Sequence, residues 1–348
     1  MSQQDFEADA FNHLVDLASE ALGGRAVGTS DDFFAGVENL VKPGRGVFLP
    51  DEYTERGKWM DGWESRRKRG DGHDWAILEL GARGVIHGLD IDTNHFLGNH
   101  APYASVEATN ARPGASLEEL EKADWTEIRA QVALRAGRQN IFATRDDGVY
   151  THVRLNIFPD GGVARLRVYG DVICDWERLQ VDEETKPRLR EGEVDLAAVG
   201  NGGIALACSD MFFSPMNNLL APGRADNMGG GWETRRRRGP GNDWILIRLA
   251  VRGTMGLIEI DTNHFKGNYP DSAELFGIDA DGSRITDLLA SRDWSLILPN
   301  QKLSADSRHF YRDELETEGP FTHVMLRIFP DGGVSRLRVW GQRREATS

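Results

Sequence analysis

The chain has 348 residues and a net charge of −14, an acid excess that disfavours a nucleic-acid or anionic-membrane partner. No apolar run approaches the roughly 20 residues needed to span a bilayer, and the acidic N-terminal stretch does not read as a secretory signal. Cys174 and Cys208 are the only cysteines. They leave no disulfide framework and suggest a reducing, cytoplasmic setting.

Asp5 to Leu22 is predicted as an amphipathic helix. Phe6, Leu14, Val15, Leu17, Ala18, Ala21 and Leu22 supply its apolar stripe, and Gly23-Gly24 ends it. Most of the remainder reads as strands. Trp75 to Leu80 is a short apolar run between glycines. Val85 to Asp92 ends in alternation, Leu89 and Ile91 on one face, Asp90 and Asp92 on the other. Ser116 to Lys122 is read as a short helix. Val153, Leu155 and Ile157 then alternate with polar residues, Pro159-Asp160-Gly161-Gly162 supplies a turn, and Ala164, Leu166 and Val168 face inward on the return strand.

The pattern then repeats. Gly62-Trp63-Glu64-Ser65-Arg66-Arg67 recurs as Gly231-Trp232-Glu233-Thr234-Arg235-Arg236. Asp92-Thr93-Asn94-His95-Phe96 with Gly98-Asn99 recurs as Asp261-Thr262-Asn263-His264-Phe265 with Gly267-Asn268. Thr151-His152-Val153 returns as Thr322-His323-Val324, and the Pro-Asp-Gly-Gly turn as Pro330 to Gly333. The period is far longer than a solenoid's, so a whole domain has been duplicated. Many strands, few helices and Gly/Pro/Asn/Asp turns point to antiparallel sandwiches. The charged stretch Asp175 to Glu193 has no counterpart and reads as a linker. The expected division is 1–172 for the first domain, 173–191 for the linker and 192–348 for the second.

The shared polar segments are the candidate site. Asp92, His95, Asn94 and Asn99, with Asp261, His264, Asn263 and Asn268, end apolar strands, a rigid place from which to aim side chains. The same residue types also serve demanding turns. The Glu-(Ser/Thr)-Arg-Arg segments set Glu64 and Glu233 beside arginines whose planar forks suit a small anionic ligand. A solvated charged loop would look alike. Asp31 and Asp32 precede a Phe-Phe pair and either cap backbone amides or join a site. Asp32 becomes Met211 in the second copy, so the copies are not equivalent. No HExxH, CxxC, phosphate loop or G-x-S-x-G elbow is present. No motif demands a cofactor, and a divalent metal stays open.

Together these segments, with Val15-Asp16-Leu17-Ala18, Ser30-Asp31-Asp32-Phe33-Phe34, Glu38-Asn39-Leu40, Gly72-His73-Asp74-Trp75 and Gly267-Asn268-Tyr269-Pro270, resemble the allantoicase family across nearly the whole chain. The resemblance implies two tandem jelly-roll, galactose-binding-like β-sandwich domains. It also implies a homo-oligomer and hydrolysis of allantoate to ureidoglycolate and urea. For that reaction the expected proton-transfer groups are Glu64, Asp92 and His95, or Glu233, Asp261 and His264. Arg66 and Arg67, or Arg235 and Arg236, are expected to take the substrate carboxylate, and the asparagines its ureido groups. The site lies in one copy, in each, or between them; Asp32 against Met211 favours the first. A duplicated non-catalytic module binding a sugar or small anion is the competing reading.

Overall fold

A computed structural model describes residues 11, 14–177, 179 and 181–344. The chain divides into two compact units, 1–174 and 175–348. Both are mainly β, and each contains one eight-stranded antiparallel sheet. Among the described residues no helix is long and apolar enough to cross a membrane.

The organising element of the first unit is a single 19-residue strand, Asp74–Asp92. It joins the two runs that the sequence shows as separate. Its first half pairs with Arg25–Thr29 and with Val149–Phe158. Its second half pairs with Arg165–Val172 and Ile141–Ala143. The partners change at Gly81–Gly84, so one strand passes from one layer of the sandwich to the other. Tyr103–Thr109 and Thr126–Ala133 extend the first layer. Val15–Asp16 edges the second. Asp90 and Asp92, expected to face away from Leu89 and Ile91, are as buried as those neighbours.

The second unit repeats this plan around Asp243–Asp261. That strand pairs with Ile204–Cys208, Phe321–Phe329, Arg336–Arg343 and Arg308–Tyr311. Ser272–Ile278 and Ser295–Lys302 complete the first layer. Residues 182–193, expected as linker, pack on this unit. Arg308 meets Asp182 and Glu184 at 3.0 Å each, and Arg312 meets Glu193 at 2.8 Å.

Two local expectations have different outcomes. The short helix is present at Leu117–Glu121, and a capping box between Ser116 and Glu119 starts it. The N-terminal helix is not found where it can be followed. Val15–Asp16 is a strand and Glu20–Leu22 a single 3-10 turn ended by Gly23. The sheet edge offered by Gly170 and Tyr169 outweighs helical periodicity. Residues 5–10 and 12–13 of that predicted helix lie outside the described residues.

Candidate active site

The Asp-Thr-Asn-His turn closes the long strand and is pinned by what surrounds it. Thr93 donates from its hydroxyl to the Arg135 carbonyl at 2.6 Å, and the Phe96 N–H returns to the Thr93 carbonyl at 2.9 Å. Phe96 is fully buried between glycines. A Cβ added at Gly162 would lie 2.0 Å from the Phe96 ring, and one at Gly62 2.6 Å. Phe265 is seated the same way, 1.9 Å from a Cβ at Gly333 and 2.8 Å from one at Gly231. The glycines shared by Gly-Trp-Glu and Pro-Asp-Gly-Gly therefore make room for this ring.

One residue before the anchor, His95 adopts φ +68°, as does His264. The left-handed backbone costs a side-chain-bearing residue roughly 1–2 kcal/mol, and the anchored turn enforces it.

Asp92 and Asn94 organise the turn itself. Asp92 is buried and takes a two-pronged contact from Arg45, at 2.8 and 3.0 Å. It also accepts the Asn94 N–H at 3.0 Å. The Asn94 amide donates to the Arg45 carbonyl at 2.9 Å. In the second copy Arg224 clasps Asp261, which accepts the Asn263 N–H, and the Asn263 amide donates to the Ala225 carbonyl at 3.0 Å.

The basic runs also have structural duties. Arg66 binds Asp31 through side chain and backbone and stacks on Phe33; Arg235 binds Asp210 likewise. Two residues on, Lys68 meets buried Asp74 at 2.8 Å, and Arg237 meets Asp243. Arg67 and Arg236 are exposed. None of these basic side chains lines the pocket beside the His95 turn.

That pocket, of about 360 Å³, opens beside Glu64, His95 and Asn99 in the first unit. Its size falls within the roughly 300–1,000 Å³ of small-molecule sites. Phe34, Phe48, Met60, Arg56 and Lys58 complete most of its wall. The Glu64 backbone is held on both sides, by Ala35 and by Gly162. Its carboxylate accepts the Asn99 amide at 2.8 Å. The His95 ring stacks on Phe48, centroids 5.5 Å apart. It has no hydrogen-bond partner among the described residues, so its nitrogens are open to a ligand. Asp32 faces a neighbouring cleft instead, with Glu38, Glu55 and the shared Arg56.

Phe48, Arg56, Lys58 and Met60 lie outside the repeated segments that mark the other candidates, for a simple reason. They belong to a stretch without a counterpart. Fifteen residues, 47–61, separate Gly46 from Gly62, whereas five, 226–230, separate Ala225 from Gly231. The extra length forms the hairpin Tyr53–Thr54 and Gly57–Lys58. In the second copy the corresponding imidazole is tied down. The His264 Nε2 lies 2.9 Å from the Ala225 carbonyl, and the His264 N–H donates to Asp306 at 2.7 Å. Asn268 still binds Glu233, and Met228 lies against the Asn268 amide.

Burial pushes the Glu64 carboxyl above its usual range, and the Asn99 hydrogen bond only partly offsets this. Asp90, deeper on the same strand as Asp92, is raised by burial to about 7, but it does not reach the pocket. Among the described residues no group of three or more His, Cys, Asp or Glu is arranged to hold a metal ion. A half-buried carboxyl held by an amide, an open imidazole and two cations suit acid–base work on a small polar anion.

Known proteins resemble this chain over nearly its whole length. The allantoicase repeat family model matches residues 15–173 and again 194–344. The chain is 47% identical to probable allantoicase 1 of Burkholderia mallei, over 94% of each protein. It is 46% identical to a probable allantoicase of Photobacterium profundum, over 96% of this chain and 98% of that one. The crystal structure of allantoicase from Saccharomyces cerevisiae superposes with a TM-score of 0.80, at 34% identity and 98% coverage of both chains. With both repeats matched in order and nearly end to end, the chain belongs to the allantoicase family.

Proposed function

We infer that this protein is an allantoicase, hydrolysing allantoate to ureidoglycolate and urea, and that the first copy's pocket is where it does so. The observation that carries the placement is the contrast at one turn: His95 faces an open pocket beside Glu64, whereas His264 is bound to a backbone carbonyl.

Allantoate carries a carboxylate and two ureido groups on one carbon. Urea leaves poorly as an anion, so the departing nitrogen needs a proton. Glu64, raised by burial, donates it. The carbon–nitrogen bond breaks with its electron pair going to the urea, and the remaining ureido nitrogen shares its lone pair with the carbon. Water then adds at that carbon and releases a proton to His95, leaving ureidoglycolate. Return of that proton to Glu64 through solvent completes the cycle. Asn99 orients Glu64, and its position at the pocket wall also suits a ureido carbonyl. Asp92 and Asn94 support the turn that presents His95.

Urea release from allantoate tests the activity. Glu64→Gln should lower turnover by roughly 10²–10⁴-fold with folding intact, and Glu233→Gln should leave it nearly unchanged. Loss of activity in Glu233→Gln alone would move the site to the second copy. Wild-type protein that binds a sugar and releases no urea would be a binding module instead. We also expect a cytoplasmic homo-oligomer, checked by cell fractionation and sedimentation velocity.

A further inference from the structure

We propose that Lys58, on the hairpin found only in the first copy, is the receptor for the substrate's carboxylate and makes the pocket selective for ureido acids over neutral ureides. This deepens the functional reading above and rests on it. A carboxylate that persists unchanged from substrate to product needs a cation not already committed to another anion. Arg66, the first arginine of the repeated run, is committed to Asp31. The pocket's own cations are Arg56 and Lys58, and among the described residues neither forms an ion pair.

The two cations are held differently. Arg56 donates to the Phe33 carbonyl at 3.1 Å and lies over the Phe33 ring at 4.9 Å. It forms the partition between the pocket and the neighbouring cleft. The Lys58 ammonium makes no hydrogen bond to a described residue. It rests over Phe48 at 4.6 Å and Tyr53 at 5.9 Å. Aromatic faces orient a cation without neutralising it, so its three donors stay available. Phe48 also stacks on His95. One ring thus positions both the ammonium and the imidazole, and allantoate carries its carboxylate directly on the reacting carbon. Glu64 in the same pocket is held by Asn99, not by Lys58.

The test uses full-length protein, steady-state urea release and two inhibitors: ureidoacetate, which has one ureido group and a carboxylate, and its neutral primary amide. Wild type should be inhibited competitively by ureidoacetate and poorly by the amide. Lys58→Met should raise KM for allantoate by about ten- to a hundred-fold with kcat little changed, because a contact made in ground and transition states alike is lost. It should also abolish the preference for the acid, and Lys58→Arg should restore much of it. Lys122→Met, which removes an equal charge from an exposed helix pair, should change neither. Thermal unfolding of each variant verifies that it is folded. An unchanged KM and inhibitor preference in Lys58→Met overturns the proposal, as does transfer of both effects to Arg67→Met. If wild type binds ureidoacetate through Lys58 yet releases no urea, the activity is wrong and this site stands. If urea release depends on Glu64 but not on Lys58, only the carboxylate assignment fails.

Discussion

The two copies present the same turn to different surroundings. In both, an aspartate clasped by an arginine, a threonine and a buried phenylalanine hold a histidine in the left-handed conformation. In the first copy a fifteen-residue connection lines a pocket around that histidine; in the second, five residues bring a backbone carbonyl onto its ring. The lesson is that duplication preserved the scaffold, while one loop sets what surrounds the same histidine in each copy.

The sharpest way to break this comparison is to exchange the loops. Replacing 47–61 by the sequence of 226–230 should reduce urea release by at least roughly 10⁴-fold, since Lys58, Phe48 and the pocket wall go together. Retained activity would refute the asymmetry. Next in size, His95→Gln should cost roughly 10²–10⁴-fold in turnover, whereas His264→Gln should be nearly silent in the same assay.

A third pair separates scaffold from site. Gly162→Ala and Gly333→Ala each force a methyl into a phenylalanine ring. Each should destabilise its unit by about 1–3 kcal/mol, measured by denaturant unfolding. Only Gly162→Ala, by displacing the His95 turn, should also depress activity in the folded state.

The smallest effect concerns pH. His323 is buried, and that burial lowers its pKa from 6.5 to about 4. The folded second unit keeps it neutral while the unfolded chain takes up a proton. Its contribution to stability is therefore complete above pH 6.5 and is lost as pH falls toward 4. His323→Gln should flatten that part of the unfolding-midpoint profile. His152, lowered in the same direction by burial, should give a parallel trend in the first unit.

Reading shared segments exposes the fold well, because what both copies keep is chiefly what both need to fold. The Pro-Asp-Gly-Gly turns, the capped helix at Leu117–Glu121 and the duplicated sandwich follow from local patterns. Site assignment suffers from the same logic. Arg66 and Arg235 each bind an aspartate before a Phe-Phe pair, and Asp92 and Asp261 each clasp an arginine, structural duties that would by themselves make these residues recur. Glu64, His95 and Asn99 are legible as candidates, and they do share one pocket. Lys58 and Phe48 are not, since an unpaired insertion carries no internal echo. A length mismatch between otherwise matched repeats is the signal that points to them. The N-terminal stripe misleads because strand edges and helices can both use isolated apolar residues.

The buried phenylalanine has one more consequence. It fixes Gly62, the downstream end of the connection, while the Arg45–Asp92 clasp fixes the upstream end. With both ends moored, tripling the span between them costs only about 1 kcal/mol of closure entropy. The connection thus behaves as an exchangeable cassette between two fixed posts. The second copy keeps the equivalent posts, Arg224–Asp261 and Phe265 over Gly231, and so remains a standing socket for a binding loop of its own.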